Sequence, residues 1–319
     1  MHRLAFLLLA LAMLCSSVAI AQEESVSDQQ LIVVVGADGA DEYAGQFVEW
    51  AGKWQEAARH ARVTTIGMEQ TGTADRERLK EAIQELVEGA ATDEVWIVLI
   101  GHGTWDGKRA KFNLHGQDVE ATELAAWLKP LRQRMIVING ASCSSPFINA
   151  LSGANRIIIT ATKDSSQYNF ARFGNYIASA INDPAIDLDK DGQTSVLEAF
   201  CAASQSVQIF SDQDNRLATE HALIDDNGDG LGTLAEWFDG VRANRSPKQG
   251  IADGLAANQV FLQRRGVDAG LTAEQRAKRD ELETRLEKLR VGKSQMTESQ
   301  YLLEIEPVLV DLAELYRDR

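Results

Sequence analysis

Five short apolar runs recur along the first half of the chain: LIVVV at 31–35, RVTTIG at 62–67, VWIVLI at 95–100, MIVIN at 135–139 and RIIITAT at 156–162. Each is rich in Val and Ile with little polar alternation, the pattern of strands covered on both faces. Between them apolar residues return every three or four positions. Phe47, Trp50 and Trp54 predict a helix over 41–60, Leu79, Ile83 and Leu86 one over 74–89, and the stretch from Leu124 to Leu131 a third. Strands alternating with helices predict an α/β domain: a mostly parallel sheet with helices on both sides. In such a sheet the ligand site lies beyond the carboxyl ends of the strands.

The second half reads differently. Residues 168–245 are helices interrupted by Asp/Gly-rich loops, and the 246–319 region is highly charged with sparse leucines. Thr272 with Gln275 and Thr297 with Gln300 each make a capping box. The helices they open carry Leu282, Leu286 and Leu289, then Leu302, Ile305, Leu309, Leu312 and Leu315. A break at Val291-Gly292-Lys293 makes this a helical hairpin, with a kink expected at Pro307. It either packs on the main domain or serves self-association and docking.

The beginning of the chain carries an address. His2 and Arg3, the apolar run Leu4 to Leu14 and the small-x-small site Ala19-Ile20-Ala21 read as a signal peptide over 1–21. The mature chain then begins at Gln22 and is periplasmic or extracellular, with a main domain over 22–245 and the helical region after it. No later run approaches the ~20 apolar residues of a membrane span. The net charge of −15 becomes −16 when the one charge of Arg3 leaves. That excess argues against nucleic acid and anionic membranes as partners. The first strand ends in GADGA, which lacks the third glycine of a dinucleotide loop.

Two strand ends hold the chemistry. VWIVLI runs into Gly101-His102-Gly103-Thr104-Trp105, and MIVIN into Gly140-Ala141-Ser142-Cys143-Ser144-Ser145. Consecutive parallel strands are often neighbours, so both turns open on one sheet edge. A thiol needs a base within reach to act as a nucleophile near neutral pH, and histidine is the side chain suited to it. Only Cys143 and Cys201 remain in the mature chain, too few for a disulfide framework, although one bridge between them is possible.

An apolar strand ending in His-Gly, followed some forty residues later by one ending in a turn with Cys, resembles the caspase/legumain/gingipain group of cysteine peptidases. The resemblance implies a caspase-like three-layer sandwich cleaving a peptide or protein substrate. It implies His102 as base, Cys143 as nucleophile, and the backbone N–H groups of Gly103 and Cys143 as the oxyanion hole. It also implies that the segment after RIIITAT, KDSSQYNF, shapes a specificity pocket, with Ser165 and Ser166 lining it. Ser142 stands where the group usually has alanine, in an E-A-C or Q-A-C setting before the cysteine. The rival reading is a catalytically degenerate calcium-binding scaffold of the same fold.

A second pattern points to metal. Asp187, Asp189, Asp191, Gln193 (through its carbonyl), Ser195 and Glu198 occupy the ligand positions of a twelve-residue EF-hand loop over 187–198, with Gly192 at the sharp turn. Asp225, Asn227, Asp229, Leu231, Thr233 and Glu236 repeat it over 225–236. Hard oxygen ligands suit Ca²⁺. The eighth positions, Thr194 and Gly232, lack the branched aliphatic residue that pairs such loops, so each is expected to bind alone, in a structural role.

Overall fold

The five apolar runs fold as the parallel strands of one seven-stranded sheet, their alternate residues presented to two helical layers. The computed structural model describes residues 28–69, 75–89, 92–213, 215, 217–245 and 250–317. The signal peptide expected over 1–21 lies outside them. The sheet strands are β1 (Gln29–Val35), β2 (Arg62–Ile66), β3 (Glu94–Ile100), β7 (Arg134–Asn139), β8 (Arg156–Thr160), β9 (Leu223–Asp225) and β10 (Thr233–Leu234). Between β3 and β7 lies a small antiparallel sheet of β4 (Gly103–Trp105), β5 (Ala110–Phe112) and β6 (Val119–Glu120).

The large sheet is ordered β2-β1-β3-β7-β8-β9-β10. The first five strands are parallel, and β9 and β10 each pair antiparallel with their neighbour. Leu31, Val33, Trp96 and Val98 face helices α1 (Asp41–Ala57), α5 (Phe173–Ala180) and α6 (Val196–Gln213), where Phe47, Trp54, Ile177 and Phe200 complete a buried core. Ile32, Val34, Ile97 and Val137 face α2 (Asp75–Glu88), α3 (Ala121–Leu128) and α4 (Pro146–Leu151). Burying one large apolar side chain stabilises by roughly 1.5–3 kcal/mol, so two such layers anchor the sheet from both sides. The fold is the expected mostly parallel α/β sandwich.

Three features differ from the sequence reading. RVTTI is an edge strand: Arg62 and Val63 are exposed, because β2 has a neighbour on one side only. The third helix runs over 121–128, three residues earlier than its leucine pattern suggests, since Glu120 and Glu123 form its capping box. The stretch through the short helix α7 (Leu255–Asn258) belongs to the main body, where Ala257, Val260 and Leu262 close the first core.

The hairpin proper is α8 (Ala273–Gly292) and α9 (Glu298–Arg317), both opened by the expected capping boxes. The α9 helix continues through Pro307. Leu282, Leu286 and Leu289 pack on Val308, Tyr301 and Ile305. Charged contacts hold α8 to the body: Arg134 to Asp280 at 2.6 Å, Arg276 to Asp28, and buried Arg279 to Asp268 and to the Gln259 carbonyl. Among the described residues no helix is long and apolar enough to cross a membrane.

Candidate active site

The chain runs from β1 to β2 on one side of the sheet and returns to place β3 on the other side of β1. This reversal opens a crevice beyond the carboxyl ends of β1 and β3, the place where open α/β sheets hold their ligands. The loop after β1 and the turn after β3 meet there. His102 Nε2 lies 3.0 Å from the carbonyl of Asp38. A carbonyl only accepts, so Nε2 carries the proton and Nδ1 is the basic nitrogen. The GADGA loop thus seats a histidine: Gly39, at φ +72°, leaves only van der Waals room for the ring, its Cβ position lying 3.4 Å from Nε2. Tyr43 and Phe47 meet the imidazole edge-on at centroid distances of 5.1 and 5.3 Å, and Phe170 closes the box at 5.9 Å.

The cysteine turn follows β7, the next strand in the sheet. The two turns are joined through backbone. Ser142 Oγ donates to the carbonyl of Gly103 at 3.2 Å and lies 3.4 Å from the Gly103 N–H. A Cβ on Gly103 would stand 2.1 Å from the Ser142 carbonyl, so only glycine permits this approach. Ser142 therefore serves as the tie between the turns. On the other side, Ser144 N–H and Ser145 N–H donate to Thr162 Oγ1 at 2.8 and 3.2 Å. Between these anchors Cys143 sits at φ +53°, in the left-handed region that costs a side-chain-bearing residue energy.

His102 and Cys143 stand on adjoining turns but are not hydrogen-bonded to each other. Cys143 is buried, and His102 makes no hydrogen bond to it. Burial pushes the thiol's pKa up, and the charge of Asp164 pushes it further. Asp164→Asn is accordingly expected to speed alkylation of Cys143 at neutral pH by roughly two- to fivefold, the scale of one partly screened charge. Iodoacetamide kinetics on the two proteins measure it.

The oxyanion hole differs from the expectation. The Cys143 N–H donates to the Gln167 carbonyl at 2.9 Å, and the Gly103 N–H is directed at Ser142 Oγ. Both donors have protein partners: the segment following β8 folds back over the cysteine turn to supply the Gln167 carbonyl, and the turn itself supplies Ser142 Oγ. Ser165 and Ser166 lie on that segment but do not line the neighbouring cavity. Ser166 instead donates its N–H to Asp164 at 2.8 Å. The cavity, of about 410 Å³, is lined by Phe173, Cys201, Glu220, His221, Glu236 and Phe238 among others. Cys143 and Cys201 are both free thiols. Burial raises the Cys201 pKa to about 12, so it stays protonated.

No protein-family model and no curated protein matches the chain. Among solved structures it is similar to the Drosophila initiator caspase Dronc, at 11% identity over 66% of this chain and 82% of that one, with a TM-score of 0.43. It is also similar to the protein GSU0716 from Geobacter sulfurreducens, at 12% identity over 64% of this chain and 97% of that one, with a TM-score of 0.41. The functional reading rests on the two turns.

The acidic loops behave unequally. Carboxylate oxygens of Asp187, Asp189 and Asp191 lie within 4.8 Å of one another. Desolvation, countered by the Gln193 N–H, and then the charges of Asp189, Glu198 and Asp187 raise the Asp191 pKa to about 6. Glu198 stands apart from this trio. Its carboxylate accepts from Leu188 N–H at 2.6 Å and Ser195 N–H at 2.7 Å, capping α6. Ser195 is buried with it, and the Gln193 side chain accepts from Arg265 N–H. In the second loop Asp225 accepts from Gly228 and Gly230, Asn227 from Asp229, and Asp229 from Leu231. Thr233 Oγ1 donates to Asp253 at 2.6 Å. Asp253, which sequence spacing did not indicate, also accepts from Asp226 and Asn227 N–H groups, while Glu236 turns to the cavity beside His221. Among the described residues only the first loop gathers three carboxylates.

Proposed function

We propose that this chain is an exported cysteine-type endopeptidase of the caspase/legumain kind, with His102 as base and Cys143 as nucleophile. The observation that carries this reading is the juncture of the two turns at the topological switch point, tied by Ser142 and Gly103. In the reaction, His102 Nδ1 takes the thiol proton and the thiolate adds to the peptide carbonyl carbon. Collapse of that adduct breaks the C–N bond, and His102 returns the proton to the departing amine. Water then hydrolyses the thioester, leaving the carboxyl product and free thiol.

The net charge favours peptide or protein substrates over nucleic acid. The exported address rests on residues 1–21. The α8–α9 hairpin leaves Leu302, Leu303 and Leu309 exposed, which supports a docking or self-association role. Incubating the protein with a peptide mixture tests the activity. New termini generated by wild type and absent with Cys143→Ala support it; identical peptide maps from both proteins contradict it.

A second reading, a calcium-stabilised scaffold of the same layout without catalysis, is favoured by the raised thiol pKa and the partnered Cys143 N–H. Both readings include calcium in the 187–198 loop, with Asp187, Asp189 and Asp191 as the ligands that fit it; the ion would supply charge neutralisation and hold the turn before α6. Extracellular sites of this kind bind at about 10⁻⁴–10⁻³ M. Binding must displace the proton that Asp191 holds below about pH 6. Millimolar calcium is therefore expected to raise Tm more at about pH 7.5 than at about pH 5.5. Asp189→Ala removes that rise and Glu236→Ala leaves it; equal rises at both pH values would count against an Asp191 ligand.

A further inference from the structure

The segment between β8 and α5 touches both halves of the candidate site: Gln167 holds the Cys143 N–H, and Phe170 closes the aromatic box around His102. The segment is anchored at its ends by Thr162 and by the Arg172 N–H on Glu220, and in its middle by the side chain of Gln167. Its Oε1 accepts from Lys163 N–H at 3.0 Å and from His221 N–H at 3.3 Å. Two backbone donors on one terminal atom identify that atom as the oxygen, so the other is the amide nitrogen. That nitrogen lies 2.6 Å from His221 Nδ1. An amide N–H₂ only donates, which makes Nδ1 an acceptor and places the ring proton on Nε2. The residue just ahead of β9 thus pins, through one side chain, the loop that covers the nucleophile.

We propose that Gln167 and His221 form a latch that holds the Cys143 amide closed, and that opening it delivers this N–H to the substrate carbonyl as an oxyanion donor. The inference rests on the peptidase reading of His102 and Cys143. Three observations make the latch a movable part. Lys163, Ser166, Tyr168 and Asn169 are exposed, Tyr168 at 77%, so the stretch 163–169 can lift while Ala161, Phe170 and Ala171 stay on the first core. Its attachment at the centre is polar and depends on Gln167. The thiol beneath is buried, so a substrate carbonyl reaches it only when the segment moves. His221 and Gln167 are positioning residues, because they act on the reacting centre through the Cys143 backbone. The latch also accounts for a Cys143 N–H that is occupied by a protein carbonyl: the geometry is that of a closed state.

Amide hydrogen exchange reads the latch independently of catalysis. The full chain labelled with ¹⁵N-cysteine gives few amide signals, and Cys201, inside α6, serves as the internal control for intact structure. Gln167→Ala and His221→Phe are each expected to speed exchange at Cys143 about tenfold, the equivalent of losing one to two hydrogen bonds, with Cys201 unchanged. His221→Asn, which keeps an acceptor near the Nδ1 position, is expected to restore protection. The same proteins are then titrated with a thiol-reactive peptidyl probe. Faster exchange accompanied by faster labelling supports the latch. Unchanged exchange at Cys143 overturns it, whether or not wild type labels. Faster exchange with no labelling in any protein, wild type included, overturns the peptidase reading and with it the donor role given to this amide.

Discussion

Gly103→Ala is expected to remove nearly all reactivity of Cys143 toward a peptidyl probe while leaving most of the fold in place. The added Cβ would stand 2.1 Å from the Ser142 carbonyl, a backbone atom that cannot rotate away, and 3.2 Å from that of Lys111. The histidine and cysteine turns must then separate, since the contact is their direct tie. Misplacement on the scale of an ångström at a reacting centre costs about a hundredfold in rate. The accompanying loss of stability is about 1–3 kcal/mol, as for other overpacked sites. Gly45→Ala is the control. Gly45 lies in α1 with open space around its Cβ position, so the substitution should stabilise by ~0.5–1 kcal/mol and leave labelling unchanged. A Gly103→Ala protein that labels like wild type would mean that the tie does not set the site.

His102→Ala carries the second large effect. Loss of a positioned general base costs typically 10²–10⁴-fold, and the loss falls on the chemical step, so kcat drops with little change in KM. The ring is half-buried among Tyr43, Phe47 and Phe170, and its removal costs some packing as well, which a melting curve reports separately. Asp38→Ala sharpens the interpretation. His102 is bonded to the Asp38 carbonyl, which every residue supplies, so this variant should retain a rate within about threefold of wild type. Equal rates for His102→Ala and wild type on a peptide substrate would remove the base from the mechanism.

The parts of this fold that could be read from sequence were those that bury continuous apolar surface. The strands β1, β3, β7 and β8 are covered on both faces, and their Val/Ile runs match their bounds within two residues. Short strands escaped. β9 and β10 have three and two residues; β9 ends where the acidic metal-like loop begins and β10 lies inside it, so β9 is placed by pairing with β8 and β10 by pairing with β9. The small β4–β6 sheet is built from segments of three residues or fewer and follows from the hydrogen bonds that tie Asn113 to His102 and Ala37.

In the site, the two turns were legible because a His-Gly and a Ser-Cys sequence each follow a buried strand. Their surroundings were not. The Asp38 carbonyl and the Gln167 carbonyl are backbone groups that no residue type announces, and Phe170 reaches His102 only through the layout of the chain. The same limit separates the acidic loops. Local spacing of two residues brings Asp187, Asp189 and Asp191 together, whereas the partner of Thr233 is Asp253, twenty residues away in sequence.

The central claim is that Cys143 is a nucleophile served by His102. It is tested most directly by treating the full chain with a series of acyloxymethyl-ketone peptides that vary in their last residue, and mapping the modified residue by mass spectrometry. A covalent adduct is expected on Cys143 but not on Cys201, whose thiol stays protonated. The rate is expected to depend on the peptide's last residue, to fall about 10²–10⁴-fold in His102→Ala and to vanish in Cys143→Ala. Modification of Cys143 no faster than that of an ordinary exposed thiol, and equally with every peptide, would contradict that claim.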